Sequence, residues 1–231
     1  MDDSDEMIVG AMQSKELREA LEEARAGRAY LEKELHHRVS NNLQLMTSIV
    51  RLELSASSEA SAIKALSDAE RRLHVLSITN RRFLDRLDAD KFELYSFMYD
   101  FTRDLHALYD PDSTSLSVSL SGQRIYLTMR LIDPLGIITG EIISNALIRA
   151  RTREQYFRLD ISWEVDEQGL LSLSYRDTGG GFLEDAPINL EESLGMIIIR
   201  ALVEQMGAKV SVANGVMGAV ITIELNSLSL V

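Results

Sequence analysis

The chain has 231 residues, enough for one large domain or two modest ones with a buried core. Apolar residues make up 45% and charged residues 26%, the balance of a globular protein, and a formal charge of −12 argues against a surface that grips nucleic acid or anionic lipid. With no cysteine, disulfides, thiolate zinc sites and cysteine nucleophiles are excluded. The acidic start MDDSDEM shows no basic region of a signal peptide, and no apolar run approaches the roughly 18 residues of a membrane span. The expectation is a soluble, cytoplasmic protein with no nucleic-acid partner and no membrane insertion.

From about Met12 to Leu87 there is no proline and a single glycine, Gly27, and apolar residues recur at helical spacing. The small residues of Ser55-Ala-Ser-Ser-Glu59 interrupt that pattern. Two long helices over 12–54 and 60–88 are expected, forming a hairpin. Their apolar stripes are wide enough to need a further neighbour, which a second copy would supply as a dimeric four-helix bundle. After Leu87 a helix over 92–109 ends at Asp110-Pro111, followed by a strand in SLSVSLS and a helix from about Leu131 to Arg151. The strands FRLDISWEV and LLSLSYRD flank the hairpin signal Asp166-Glu-Gln-Gly169. A helix over 193–206 and the strands KVSVAN and AVITIEL close the chain. The fold class is therefore α+β: a helical hairpin followed by a two-layer α/β sandwich. The expected domains are a helical extension or signalling coiled coil over 1–30, the hairpin over 31–89, and the sandwich over 90–231.

Two of the four histidines are adjacent, in Glu34-Leu-His-His-Arg-Val-Ser-Asn-Asn-Leu-Gln44. At about 100° per residue, setting Leu35 at zero places Val39, Leu43, Met46, Ile49 and Val50 within roughly 80° of it, the expected buried stripe. His37 falls at about 200°, exposed and flanked on its face by Lys33, Ser40, Asn41 and Gln44, and His36 at about 100°, on the boundary. Asn42 lands on the buried side, which implies a hydrogen bond across the bundle. An exposed imidazole among neutral amides can attack or carry a group; two solvated polar residues would look the same. A metal site would need a second ligand such as histidine four residues on, and none is there. His74 and His106 have no companions and are expected to be structural or surface residues.

Three elements of the second half suggest a nucleotide site. Glu141-Ile-Ile-Ser-Asn145 puts a carboxylate and an amide on one helix face, oxygen donors suited to Mg²⁺ carrying phosphates. Asp177-Thr-Gly-Gly-Gly-Phe182 follows a strand with an acceptor for an exocyclic amine and glycines that allow close backbone approach. Ser193-Leu-Gly-Met196 opens a helix with N–H groups able to meet a phosphate. Taken singly, each is also an ordinary helix face, turn or cap.

In order and spacing these parts resemble the GHKL superfamily of ATP-binding domains. With ELHHRVSNNLQ upstream, residues 30–226 resemble a sensor histidine kinase core of the HWE or second HisKA subfamily, whose phosphoacceptor helix typically reads E-[IL]-H-H-R-V-K-N-N-L-Q. The resemblance implies His37 as phosphoacceptor and Asn145 as Mg²⁺ ligand with Glu141 beside it. Asp177 would accept from adenine, Gly179 and Gly181 would shape the floor, and Ser193 and Gly195 would lie near the phosphates. ATP and Mg²⁺ are the implied cofactors, a response-regulator receiver the implied partner, and a homodimer the implied assembly. The implied reaction is autophosphorylation on histidine, then transfer to a receiver aspartate. Ser40 stands where the subfamily has lysine, Ile148 and Arg149 replace a basic pair, and the lid over 183–192 is short and acidic. Those departures keep open a histidine phosphotransferase or pseudokinase with a scaffold second domain. A GHKL-type serine kinase or anti-sigma switch would leave the hairpin and His37 without a role.

Overall fold

The computed structural model describes residues 3–84, 91–110, 112, 115–153, 156–178, 194–214 and 218–226. Two helices open the chain, α1 (Asp3–Ala56) and α2 (Ala60–Leu84), and α2 pairs with the C-terminal part of α1 as a hairpin. The remainder is β1 (Lys91–Glu93), α3 (Leu94–Tyr109), β2 (Leu116–Gly122), β3 (Tyr126–Thr128), α4 (Met129–Arg153), β4 (Phe157–Val165), β5 (Leu171–Asp177), α5 (Leu194–Gln205), β6 (Lys209–Asn214) and β7 (Ala219–Leu225).

Strands β2, β4, β5, β7 and β6 form one sheet in that order, with β2 parallel to β4 and every other pair antiparallel. Alternation decides its faces. Leu159, Ile161 and Trp163 on β4, Leu171, Leu173 and Tyr175 on β5, and Ile221, Ile223 and Leu225 on β7 are buried under the helices. The intervening residues, among them Arg158, Glu164, Arg176 and Glu224, face away from that core. The result is the expected two-layer α+β sandwich. Tyr175 anchors its middle: its hydroxyl lies 2.9 Å from Oγ1 of buried Thr139 on α4, and burial pushes its pKa up to about 12.

Helix α3 starts where Glu93 caps it, the carboxylate accepting from Ser96 N at 2.9 Å. It ends at Asp110, whose Oδ2 accepts from the N–H groups of Ser115 and Leu116 at 3.1 Å each and so ties the helix end to β2. Strands β1 and β3, absent from the sequence-based reading, pair as a two-stranded ribbon that brings Phe92 opposite Leu127. At three residues each they are too short to show a period.

Helix α4 requires a correction. Met129–Ile148 is long and apolar enough to cross a membrane, with a mean hydropathy of 1.4, contrary to the reading that no such run exists. Its apolarity has another cause: 78% of that window is buried, between the sheet on one side and α2 on the other. Val75 and Ile78 of α2 join the same core as α3, α4, α5 and the sheet.

The buried face of α1 also differs from expectation. Among the residues from Leu35 to Val50 only Leu43 is fully buried, with His36, Ser40, Thr47 and Val50 half-buried around it. That face is turned about a quarter of a revolution from the apolar stripe. Leu35, Val39, Met46 and Ile49 are 61, 43, 52 and 51% exposed, and Asn42 is exposed with them. The physical reason is that α2 covers one flank of a broad stripe and leaves the other open.

Candidate functional site

The histidine pair divides. His37 is exposed, as its position on the helix wheel requires. His36 is half-buried and its Nδ1 donates to Oδ1 of Asn80 on α2 at 2.8 Å. The same amide donates through Nδ2 to the carbonyl of His36 at 3.1 Å and to Oγ of Ser40 at 2.6 Å. Asn80, 8% exposed, therefore clasps one turn of α1, and it is the amide that crosses the bundle in place of Asn42. Ser40 suits this clasp: its hydroxyl accepts where a longer side chain would not fit the same geometry. Asp133, in the first turns of α4, feels His36 electrostatically, and burial pushes its carboxyl up to about 6.

The other two histidines are half-buried. Nε2 of His74 lies 3.3 Å from a guanidinium nitrogen of Arg51, and burial lowers its pKa with Glu70 opposing. His106 sits in the last turn of α3 with its pKa also lowered by burial.

Glu141, Asn145 and Gly195 lie close together. A Cβ placed on Gly195, at the start of α5, would lie 3.2 Å from Oε2 of Glu141 and 3.3 Å from Nδ2 of Asn145. The bare backbone of that turn thus faces both donors at close range. Glu141 is 4% exposed and Asn145 half-exposed. Asp177 is buried at the end of β5, and its Oδ1 accepts from Ala219 N at 3.3 Å. Gly218 lies directly on it: any Cβ there would overlap the carbonyl and carboxylate of Asp177. Gly179, Gly181, Ser193 and the acidic lid lie outside the described residues.

This donor set fits a magnesium nucleotide. One carboxylate and one amide oxygen would supply hard ligands, a side-chain-free helix start faces them, and Asp177 lies buried where β5 ends and β7 begins. Among the described residues no cluster of three histidine, aspartate or glutamate side chains could hold a metal ion alone.

Three residues at or beside this site escaped the sequence reading. Nε of Arg72, on α2, donates to Oε1 of Glu141 at 2.8 Å. Gly140 meets Val75 so closely that any Cβ would overlap it, and a Cβ at Gly136 would lie 3.3 Å from Cγ2 of Thr79. The pattern Gly136-x-x-x-Gly140 in an otherwise apolar helix was the available signal for this close crossing.

Comparison with known proteins agrees with the geometry. Residues 34–109, from the histidine pair to the end of α3, match the family profile HisKA_2, described as histidine kinase. A blue-light-activated histidine kinase 2 of Erythrobacter litoralis is 24% identical over 196 residues, which is 83% of this chain and 56% of that protein. The sensor histidine kinase PdtaS of Mycolicibacterium smegmatis is 26% identical over 195 residues, 81% of this chain and 38% of that protein. The chain thus spans little more than half of one relative and less than half of the other. The solved histidine kinase domain of the E. litoralis EL346 blue-light-activated kinase shares the fold, with a TM-score of 0.56 at 19% identity over 88% of this chain and 95% of that one. The matched hairpin and the two relatives make the chain similar to sensor histidine kinases, and the fold it shares is that of a histidine kinase domain.

Proposed function

We propose that the chain is the kinase core of a two-component system: it transfers the γ-phosphoryl group of ATP to His37 and then to an aspartate of a response-regulator receiver. The convergence of Glu141, Asn145 and the side-chain-free turn at Gly195 carries this reading. Asn145 would ligate Mg²⁺ with Glu141 beside it, Asp177 would accept from the adenine amine under Gly218, and Gly179, Gly181, Ser193 and Gly195 would line the floor and phosphate end. ATP supplies the phosphoryl group and Mg²⁺ neutralises its charge. The chain's own work is positioning. His37 presents an exposed ring nitrogen to the phosphorus. As the N–P bond forms, the bond to the bridging oxygen breaks, ADP leaves with the electron pair, and the imidazole proton passes to solvent. Asn80, by holding His36 and Ser40, fixes the turn that carries His37.

The open flank of α1 supports a homodimer. Leu35, Val39, Met46 and Ile49 are about half exposed, so each would gain roughly half of the 1.5–3 kcal/mol of full burial, counted twice across a two-fold axis. That is comparable to an association cost of roughly 4–15 kcal/mol. The substrates, ATP and a receiver, place the chain in the cytoplasm.

Incubation of the chain with γ-labelled ATP and Mg²⁺ tests the reading. Acid-labile label in the unsubstituted chain and none in Asn145→Ala is the expected result. An unlabelled chain that nonetheless takes phosphate from a phosphorylated receiver would make it a phosphotransfer relay with a scaffold second domain.

A further inference from the structure

Arg72 belongs to the hairpin, yet its guanidinium ends at the nucleotide site. It pairs with Glu141 at 2.8 Å, and that carboxylate is 4% exposed. The contact is part of a built seam. Val75 sits against Gly140 and Thr79 against Gly136, so successive turns of α2 run antiparallel down one face of α4. One turn beyond Gly140, the buried Ser144 hydroxyl has no hydrogen-bond partner among the described residues.

The level of this seam matters. His36, held by Asn80 next to Thr79, is close enough to Asp133 to act on its charge, at the other end of the same contact. Eight residues of helix separate Asp133 from Glu141 and twelve separate it from Asn145, about 12 and 18 Å along the axis. Phosphoryl transfer needs the reacting atoms about 3–3.5 Å apart. For transfer within one chain, the seam must therefore open or slide before His37 can meet a nucleotide held at Asn145, and the Arg72–Glu141 pair breaks as it does.

We infer that Arg72 is a positioning residue that holds Glu141 in the resting chain and competes there with Mg²⁺, so that magnesium nucleotide releases the hairpin from α4. The inference rests on the nucleotide reading of Glu141 and Asn145. Its physical basis is that a nearly buried carboxylate must keep a counter-charge: removing one partner of such a pair leaves an uncompensated charge. In the resting chain the counter-charge is the guanidinium of Arg72. With nucleotide bound it is the metal. When Arg72 is removed, the metal is the counter-charge that can ligate the carboxylate directly, with Arg71 acting on it only through its field.

ATP titration calorimetry, with Mg²⁺ and with EDTA, tests this on the full chain and on Arg72→Gln, Arg72→Lys and Glu141→Gln. Arg72→Gln keeps the aliphatic stem packed on α2 while removing the charge. It is expected to bind ATP with Mg²⁺ about ten-fold tighter, equal to about 1.4 kcal/mol. In EDTA it should bind no tighter than the parent, since an unpaired Glu141 repels phosphate. Its autophosphorylation should also be faster. Arg72→Lys should return toward the parent in both, and Glu141→Gln should abolish the difference between parent and Arg72→Gln. An unchanged ratio of affinities with and without Mg²⁺ in Arg72→Gln, or weaker binding with Mg²⁺, overturns the inference and leaves the nucleotide reading standing. No ATP binding by the parent under either condition overturns both.

Discussion

Asn80 makes three contacts with one turn of α1, to the ring and carbonyl of His36 and the hydroxyl of Ser40. Truncation to alanine would strand a half-buried imidazole donor and a serine hydroxyl, at a cost of about 1–3 kcal/mol. Thermal unfolding should show a clear loss for Asn80→Ala and almost none for Asn42→Ala, whose side chain is exposed. Equal losses would mean that the clasp contributes nothing. Asp133 gives a second residue-scale expectation. Burial pushes its carboxyl from 3.8 up to about 6, with His36 opposing. The folded chain thus keeps a proton that the unfolded chain releases near pH 4. The stability this confers is complete below about pH 4 and is lost as the pH rises through about 6. Asp133→Asn should therefore gain melting temperature relative to the parent between pH 4 and 7, the gap opening around pH 5–6. Parallel melting curves across that range would contradict the assignment. Neither residue was legible in the sequence: an asparagine in α2 and an aspartate in α4 become partners of the histidine turn only once three helices meet.

Among elements, the crossing of α2 and α4 joins the hairpin to the sandwich. It depends on Gly140, where a Cβ would overlap Val75. Gly140→Ala should destabilise by about 1–3 kcal/mol through overpacking, partly offset by alanine's helix propensity. Val75→Ala in the same chain should recover part of that loss, and a double-mutant cycle on melting curves would measure the coupling; strict additivity would mean that the two residues do not touch. The strands and helices themselves were plain to read, because β4, β6 and β7 alternate cleanly and α3, α4 and α5 carry unbroken apolar periods. The ribbon of β1 and β3 was missed, since three residues carry no period. The face of α1 was read about a quarter-turn away from its contact with α2 for a related reason: a stripe broad enough for two neighbours does not say which neighbour takes which flank. Of the proposed site, Glu141, Asn145, Asp177 and Gly195 were singled out from local motifs read together with the family resemblance. Arg72 was not, because it reaches the site from 69 residues away in sequence.

For the whole molecule, the uncovered flank of α1 and the seam between α2 and α4 set two expectations. Light scattering should give twice the chain mass, and Met46→Glu with Ile49→Glu should return it to a monomer by placing charge on the open flank; a parent that is monomeric at all concentrations would remove the dimer from the account. The central claim is phosphorylation of one ring of the pair, with His36 held by Asn80 and His37 turned to solvent. The most direct measurement is acid-labile label from γ-labelled ATP and Mg²⁺ in His37→Ala and His36→Ala side by side. Label absent from His37→Ala and present in His36→Ala is the predicted result; label that survives in His37→Ala and disappears from His36→Ala would contradict it.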